Sequence, residues 1–131
     1  MAIGVQELLD AARRQTGLDD WGEGEFLEPL AMLVTALNAD AALTPEGERK
    51  SREFLVQRLS QRLRLFEDRR KYPAIAEERI ARPLFVTGLP RAGTTFMHNL
   101  LACDPDALWP PMWQLVSPSP PPNTPGADNA A

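Results

Sequence analysis

The residues of this 131-residue chain best suited to chemistry lie between Gly88 and His98, in the run G-L-P-R-A-G-T-T-F-M-H. Gly88 and Gly93 frame a short loop, and Arg91 places a guanidinium inside it. Thr94 and Thr95 follow with two hydroxyls, and His98 is the single histidine. Just ahead, Leu84, Phe85 and Val86 form a continuous apolar run, the pattern of a strand buried on both faces. Gly88, Pro90 and Gly93 break that run and force a turn. Phe96, Met97, Leu100 and Leu101 then recur at helical spacing, and Asp104-Pro105 ends the helix. A glycine-bearing loop between a strand and a helix start is an anion site: successive N–H groups converge there, and the helix dipole adds partial positive charge.

The spacing narrows the choice of anion. Gly88, four residues, Gly93 and two threonines overlay the phosphate-loop pattern G-x-x-x-x-G-K-[ST], but Thr94 holds the lysine position. A nucleotide kinase or hydrolase needs that lysine on the β- and γ-phosphates. Here the cation sits inside the loop, at Arg91.

The arrangement P-R-x-G-T-T directly after a strand resembles the 5′-phosphosulfate-binding loop of the sulfotransferases, whose donor is 3′-phosphoadenosine 5′-phosphosulfate (PAPS). The longer run P-L-F-V-T-G-L-P-R-A-G-T-T-F-M-H-N-L-L-A-C-D-P is similar to the bacterial branch of that family. So are the upstream T-G-L-D-D-W-G and the downstream W-Q-L-V-S-P-S-P-P-P. The resemblance implies an α/β fold, a P-loop-like three-layer sulfotransferase domain. It implies transfer of a sulfuryl group from PAPS to a hydroxyl or amine of a small-molecule acceptor, with no metal. It assigns donor binding to Gly88, Pro90, Arg91, Ala92, Gly93, Thr94 and Thr95. An acidic residue often follows the tryptophan placed like Trp113 in this branch. Gln114 stands there instead, and it cannot take a proton at neutral pH, so it positions the acceptor or a basic group is missing. His98 is the one imidazole that could serve as a general base, but the simpler reading of its position is a helix residue hydrogen-bonded against the core or exposed. The family holds the donor's 3′-phosphate with a serine and an arginine that come after the stretch matched here. It also completes its sheet with further βα units. The resemblance therefore implies the N-terminal part of a longer enzyme, as a truncated reading frame, a fragment or a decayed copy, with weak donor binding and little turnover alone. Two other readings stand beside it: a nucleotide kinase or hydrolase, against which Thr94 in the lysine position argues, and a non-catalytic helical interaction module with the loop as a relic.

The elements that must position this loop are mostly helices. Val5 to Thr16 carries Val5, Leu8, Leu9 and Ala12 on one side, and Gly17 closes it. A second helix is expected from about Glu25 to Asn38, with Phe26, Leu30, Leu33, Val34 and Leu37 as its apolar stripe. Pro29 fits only within its first turn. Thr44-Pro45-Glu46 starts a third helix that runs to about Arg70, burying Phe54, Leu55, Leu59, Leu63 and Phe66. Tyr72-Pro73 ends it, and a short helical turn leads from there toward the strand. Beyond the loop, Trp109-Pro110-Pro111 excludes a regular helix, and the two tryptophans Trp109 and Trp113 pack on the domain or wall a substrate pocket.

Three regions follow: a helical part (1–82), the start of the P-loop-like domain (83–116) and a proline-rich, disordered tail (117–131). The net charge of −4 and pI near 5.0 argue against a nucleic-acid partner. Asp19, Asp20, Glu23, Glu25 and Glu28 crowd the first part, whereas Arg49 to Lys71 is rich in basic residues, as expected of helices whose faces attract. The lone Cys103 cannot form an internal disulfide, and no signal pattern or long apolar stretch is present. A reduced, cytoplasmic setting away from membranes is the expectation.

Overall fold

The computed structural model describes residues 2–119. Helix α1 spans Val5–Thr16 and is closed by Gly17, whose left-handed backbone (φ 70°) lets its N–H reach the Arg13 carbonyl at 2.8 Å. A 3-10 turn, Gly24–Phe26, leads into α2, Leu27–Ala39. Pro29 is the third residue of α2, where its missing N–H costs no helical bond. Helix α3, Pro45–Lys71, is 27 residues long, and the Thr44 hydroxyl accepts from the Gly47 N–H at 3.1 Å at its start. One-turn α4 (Ala74–Glu77), then α5 (Thr94–Leu101) and α6 (Met112–Val116), complete the order.

The core lies among the first three helices. Leu8, Leu9 and Ala12 of α1 meet Leu55, Leu59 and Leu63 of α3, with Ile3, Leu30 and Val34 closing the cluster. Leu8 and Leu63 are wholly buried. The stripes expected from spacing are mostly buried, but Leu33 and Phe54 are about half exposed, at 45% and 55%. Both face outward beside a shallow apolar groove of about 330 Å³ between α2 and α3.

Polar contacts lock the layer. The Asn38 amide brackets the Ile3 backbone, its Oδ1 accepting from Ile3 N–H and its Nδ2 donating to Ile3 C=O, each at 2.9 Å. Arg62 donates to the carbonyls of Trp21 and Glu23, both at 2.9 Å, and lies over the rings of Phe26 and Phe66. That contact fixes the acidic connector onto α3. Glu7 of α1 pairs with Arg52 of α3, so the charge asymmetry read from sequence joins the two helices at this point.

The expected strand is a correction. Leu84, Phe85 and Val86 are extended, but no strand exists among the described residues. Leu84 is 73% and Phe85 80% exposed, so the run is not buried on either face. A strand exists only through hydrogen bonds to a neighbouring strand, and none of the described residues supplies one. The α/β character is therefore not realised here; the described elements are all helical.

Two further points differ from expectation. Met112–Val116 forms a short helix of five residues, although Trp109-Pro110-Pro111 predicts none. Pro111 stands just outside it in an extended conformation, a position proline tolerates well. The first residues of the proline-rich segment also pack: Ser117 and Pro118 are half-buried and Ser119 is buried. The remainder of that segment, 120–131, lies outside the described residues. Among the described residues, no helix is long and apolar enough to cross a membrane.

Candidate anion-binding loop

The loop between Gly88 and Thr95 is built from one tight turn and one helix start. The Ala92 N–H donates to the Leu89 carbonyl at 3.0 Å, closing the turn Leu89-Pro90-Arg91-Ala92. Proline at the second turn position and a positive φ of 68° at the third, Arg91, make this a type II turn. Glycine is the residue that normally fills that third position. An arginine there costs about 1–2 kcal/mol of backbone strain. Non-glycine residues held in this region cluster at functional sites.

Gly93 follows, also left-handed (φ 82°, ψ 17°), and serves as the residue before α5. A Cβ on Gly93 would meet nothing within 4 Å, so its role there is conformational. Gly88 serves differently. A Cβ added to it would lie 3.0 Å from Thr94 Cγ2 and 3.3 Å from Ala92 Cβ. The end of the extended segment thus lies close against the start of α5, and a side chain at Gly88 would make Thr94 or Ala92 give by a few tenths of an ångström.

The first hydrogen bond of the α5 ladder runs from Met97 N–H to the Gly93 carbonyl at 3.0 Å. The amides of Thr94, Thr95 and Phe96 ahead of it have no backbone acceptor, and no side chain caps them. Arg91 is exposed and has no carboxylate or hydrogen-bond partner among the described residues. Three open amides, a helix dipole and an uncommitted guanidinium therefore share one exposed junction. An oxyanion is the complement of that arrangement.

The structure thus draws Gly88, Pro90, Arg91, Ala92, Gly93, Thr94 and Thr95 into one continuous feature. Within it, Ala92 contributes its N–H to the turn rather than leaving it open. Phe96 supplies an open amide that the motif did not single out. Counting three residues from the helix start would have found it, because the fourth N–H is the first with a helical acceptor.

His98 and Gln114 lie elsewhere. His98 is half-buried in the middle of α5, its ring set edge-on to Trp109 with centroids 6.3 Å apart. Gln114 sits in α6, where its N–H closes the first turn on the Pro111 carbonyl at 3.0 Å. Its side chain is half-buried and has no hydrogen-bond partner among the described residues. No hydrogen bond joins either side chain to the loop among the described residues.

Comparison with known proteins places this geometry. Residues 83–128 match the sequence model of the Sulfotransferase family, a span that contains the whole loop. The structure is similar to the crystal structure of sulfotransferase STF1 from Mycobacterium tuberculosis H37Rv, with a TM-score of 0.82 and 38% identity. The similarity covers 89% of this chain and 33% of that one, so the chain spans about a third of the length of the solved sulfotransferase it matches. No curated protein matches the chain. Motif, family match and fold agree, and the resemblance of this chain to the sulfotransferase family is shown on all three.

Proposed function

We propose that the junction of Arg91 and the α5 N-terminus grips the 5′-phosphosulfate of PAPS, and that the chain serves sulfuryl transfer to a hydroxyl or amine of a small-molecule acceptor. The observation that carries this reading is the combination at one exposed junction of three unpaired amides, those of Thr94, Thr95 and Phe96, with the unpaired Arg91 guanidinium.

The chemistry follows from charge. The acceptor atom attacks sulfur in line, and the S–O bond to the 5′-phosphate breaks. Negative charge grows on the bridging oxygen as it leaves. Donors fixed before reaction are worth most at the point where charge develops. The amides are fixed by the helix, and Arg91 adds a full charge. Pro90 sets the turn that carries Arg91, and Gly93 starts the helix that carries the amides. Alignment of donor and acceptor supplies the other large share of catalysis.

On this reading residues 1–82 are a helical platform and 83–116 the start of a P-loop-like domain. Segment 107–116 provides the acceptor side, with Trp113 as a wall and Gln114 as a positioning amide. The proton on the acceptor is assigned to His98 only if the ring leaves its edge contact with Trp109 when substrate binds. Turnover by these 131 residues alone is expected to be low, because the segment that leads into the loop, Leu84–Val86, has no pairing strand among the described residues to hold it rigid.

Calorimetric titration with adenosine 3′,5′-bisphosphate, the product nucleotide, and with ATP tests the reading. Preference for the bisphosphate supports it. Tighter binding of ATP would favour a kinase or hydrolase despite Thr94. Binding of neither nucleotide to a folded helical chain would leave the loop a relic on an interaction module.

A further inference from the structure

Helix α6 has only five residues, far fewer than an isolated helix needs to persist in water. Something outside it must hold it. Arg58 of α3 reaches across 58 positions of sequence and donates from a terminal guanidinium nitrogen to the Val116 carbonyl at 3.1 Å. Val116 is the last residue of α6, so this carbonyl is one of those a helix end leaves without an internal partner. The guanidinium plane rests on the Phe54 ring, 4.9 Å from its centroid, and its Nε is buried without a partner among the described residues. Beyond Val116 the chain turns onto the protein until Ser119 is buried. Among the described residues, this is the hydrogen bond that joins the helical platform to the segment carrying Trp113 and Gln114.

We infer that Arg58 is a positioning residue: it fixes the end of α6 on α3 and thereby sets where Trp113 and Gln114 stand on the acceptor side of the loop. This inference rests on the reading above for the role of α6, but its geometric part can fail or succeed separately. A positive charge at the carbonyl end of the helix is electrostatically favourable, and the aromatic face keeps the fork from swinging away. A lysine offers the charge without the planar stacking, so it should hold the helix less well.

Hydrogen exchange read on the amides of Gln114, Leu115 and Ser117, each bonded within α6, tests the tether. In wild-type protein these amides should be protected. In Arg58→Ala their exchange should rise about tenfold or more, as loss of a charged hydrogen bond implies, and the Trp113 indole resonance should move toward its solvent position. Arg58→Lys should fall between the two. Amides of α1 and α3 should keep their protection, which separates loss of a tether from loss of the fold. Affinity for adenosine 3′,5′-bisphosphate should stay within about threefold in Arg58→Ala, because the loop is built from other residues. Equal exchange in wild type and Arg58→Ala, or no α6 protection in wild type, overturns the inference. So does a loss of nucleotide affinity that parallels the α6 change. Failure of the wild-type protein to bind the nucleotide overturns the donor-loop reading instead, and the exchange data still decide the tether.

Discussion

Removing the guanidinium of Arg91 is the sharpest test of the loop. Arg91 is exposed, unpaired among the described residues, and left-handed at φ 68°. Alanine keeps a Cβ, so Arg91→Ala leaves the backbone cost of that φ almost unchanged and deletes the charge alone. A hydrogen bond to a charged group is worth about 1.5–3 kcal/mol net, which corresponds to about 10- to 150-fold in affinity. Arg91→Ala should therefore weaken binding of adenosine 3′,5′-bisphosphate by that factor in calorimetry at physiological salt. Arg91→Gly loses the same charge but relieves about 1–2 kcal/mol of backbone strain, so the turn should form more readily with binding still impaired. Arg91→Lys keeps a charge without the planar fork and should fall between. The helical signal in circular dichroism should be the same in all of them, since Arg91 touches nothing in the core. Affinity of Arg91→Ala within about threefold of wild type, with the helices intact, would refute the reasoning.

Other perturbations report on the platform. Leu63 is wholly buried between α1 and α3, so Leu63→Ala should cost about 2–5 kcal/mol in urea unfolding with an unchanged slope. Gly22 has φ 65°, and a Cβ there would lie 2.1 Å from the Phe66 ring. Gly22→Ala should destabilise by about 2–5 kcal/mol, the sum of backbone strain and overpacking, and a melting curve like wild type would contradict the packing described. The hydrogen bond from Arg70, followed by that from Lys71, holds the Glu67 carboxyl down at about 2. A lowered folded value means its stabilisation is complete above about 4.5 and is lost as pH falls toward about 2. Carboxyl chemical shifts followed through an acid titration should show Glu67 titrating well below its free value, and a midpoint near 4.5 would remove the pairing.

What the sequence made legible was what depends on neighbours in sequence. Gly17 and Thr44-Pro45 marked helix ends because capping is local, and both ends stand where spacing put them. The 3-10 turn over Gly24–Phe26 delayed α2 by two residues from the expected Glu25, a detail set by the packing of Phe26 against Trp21 and Arg62. The strand was not legible as pairing, because Leu84–Val86 carries the composition of a strand while a ladder needs a partner far away in sequence or outside it. Helix α6 was missed because Pro110 and Pro111 read as breakers, whereas proline just before a helix leaves its ladder intact. In the loop, G-x-x-x-x-G marked where the turn and the start of α5 fall. The turn type stayed hidden because Arg91 fills a position where glycine is the usual signal.

The bracket of Asn38 on Ile3 has a topological result. It closes α1, the acidic connector and α2 into a ring without a covalent link, joining residues 35 positions apart through one carboxamide. A protease that nicks the exposed connector near Glu23 would therefore cut the ring and not release its pieces. The N-terminal piece would stay seated through Leu8, Leu9 and Ala12, packed in one cluster with Leu30 and Val34 of α2 and the leucines of α3 on the other piece. Spontaneous deamidation at Asn38 undoes the clasp by a different route. The resulting aspartate would set a carboxylate against the Ile3 carbonyl where an amide once donated, so the oldest molecules in a preparation would be the first to let their N-terminus go.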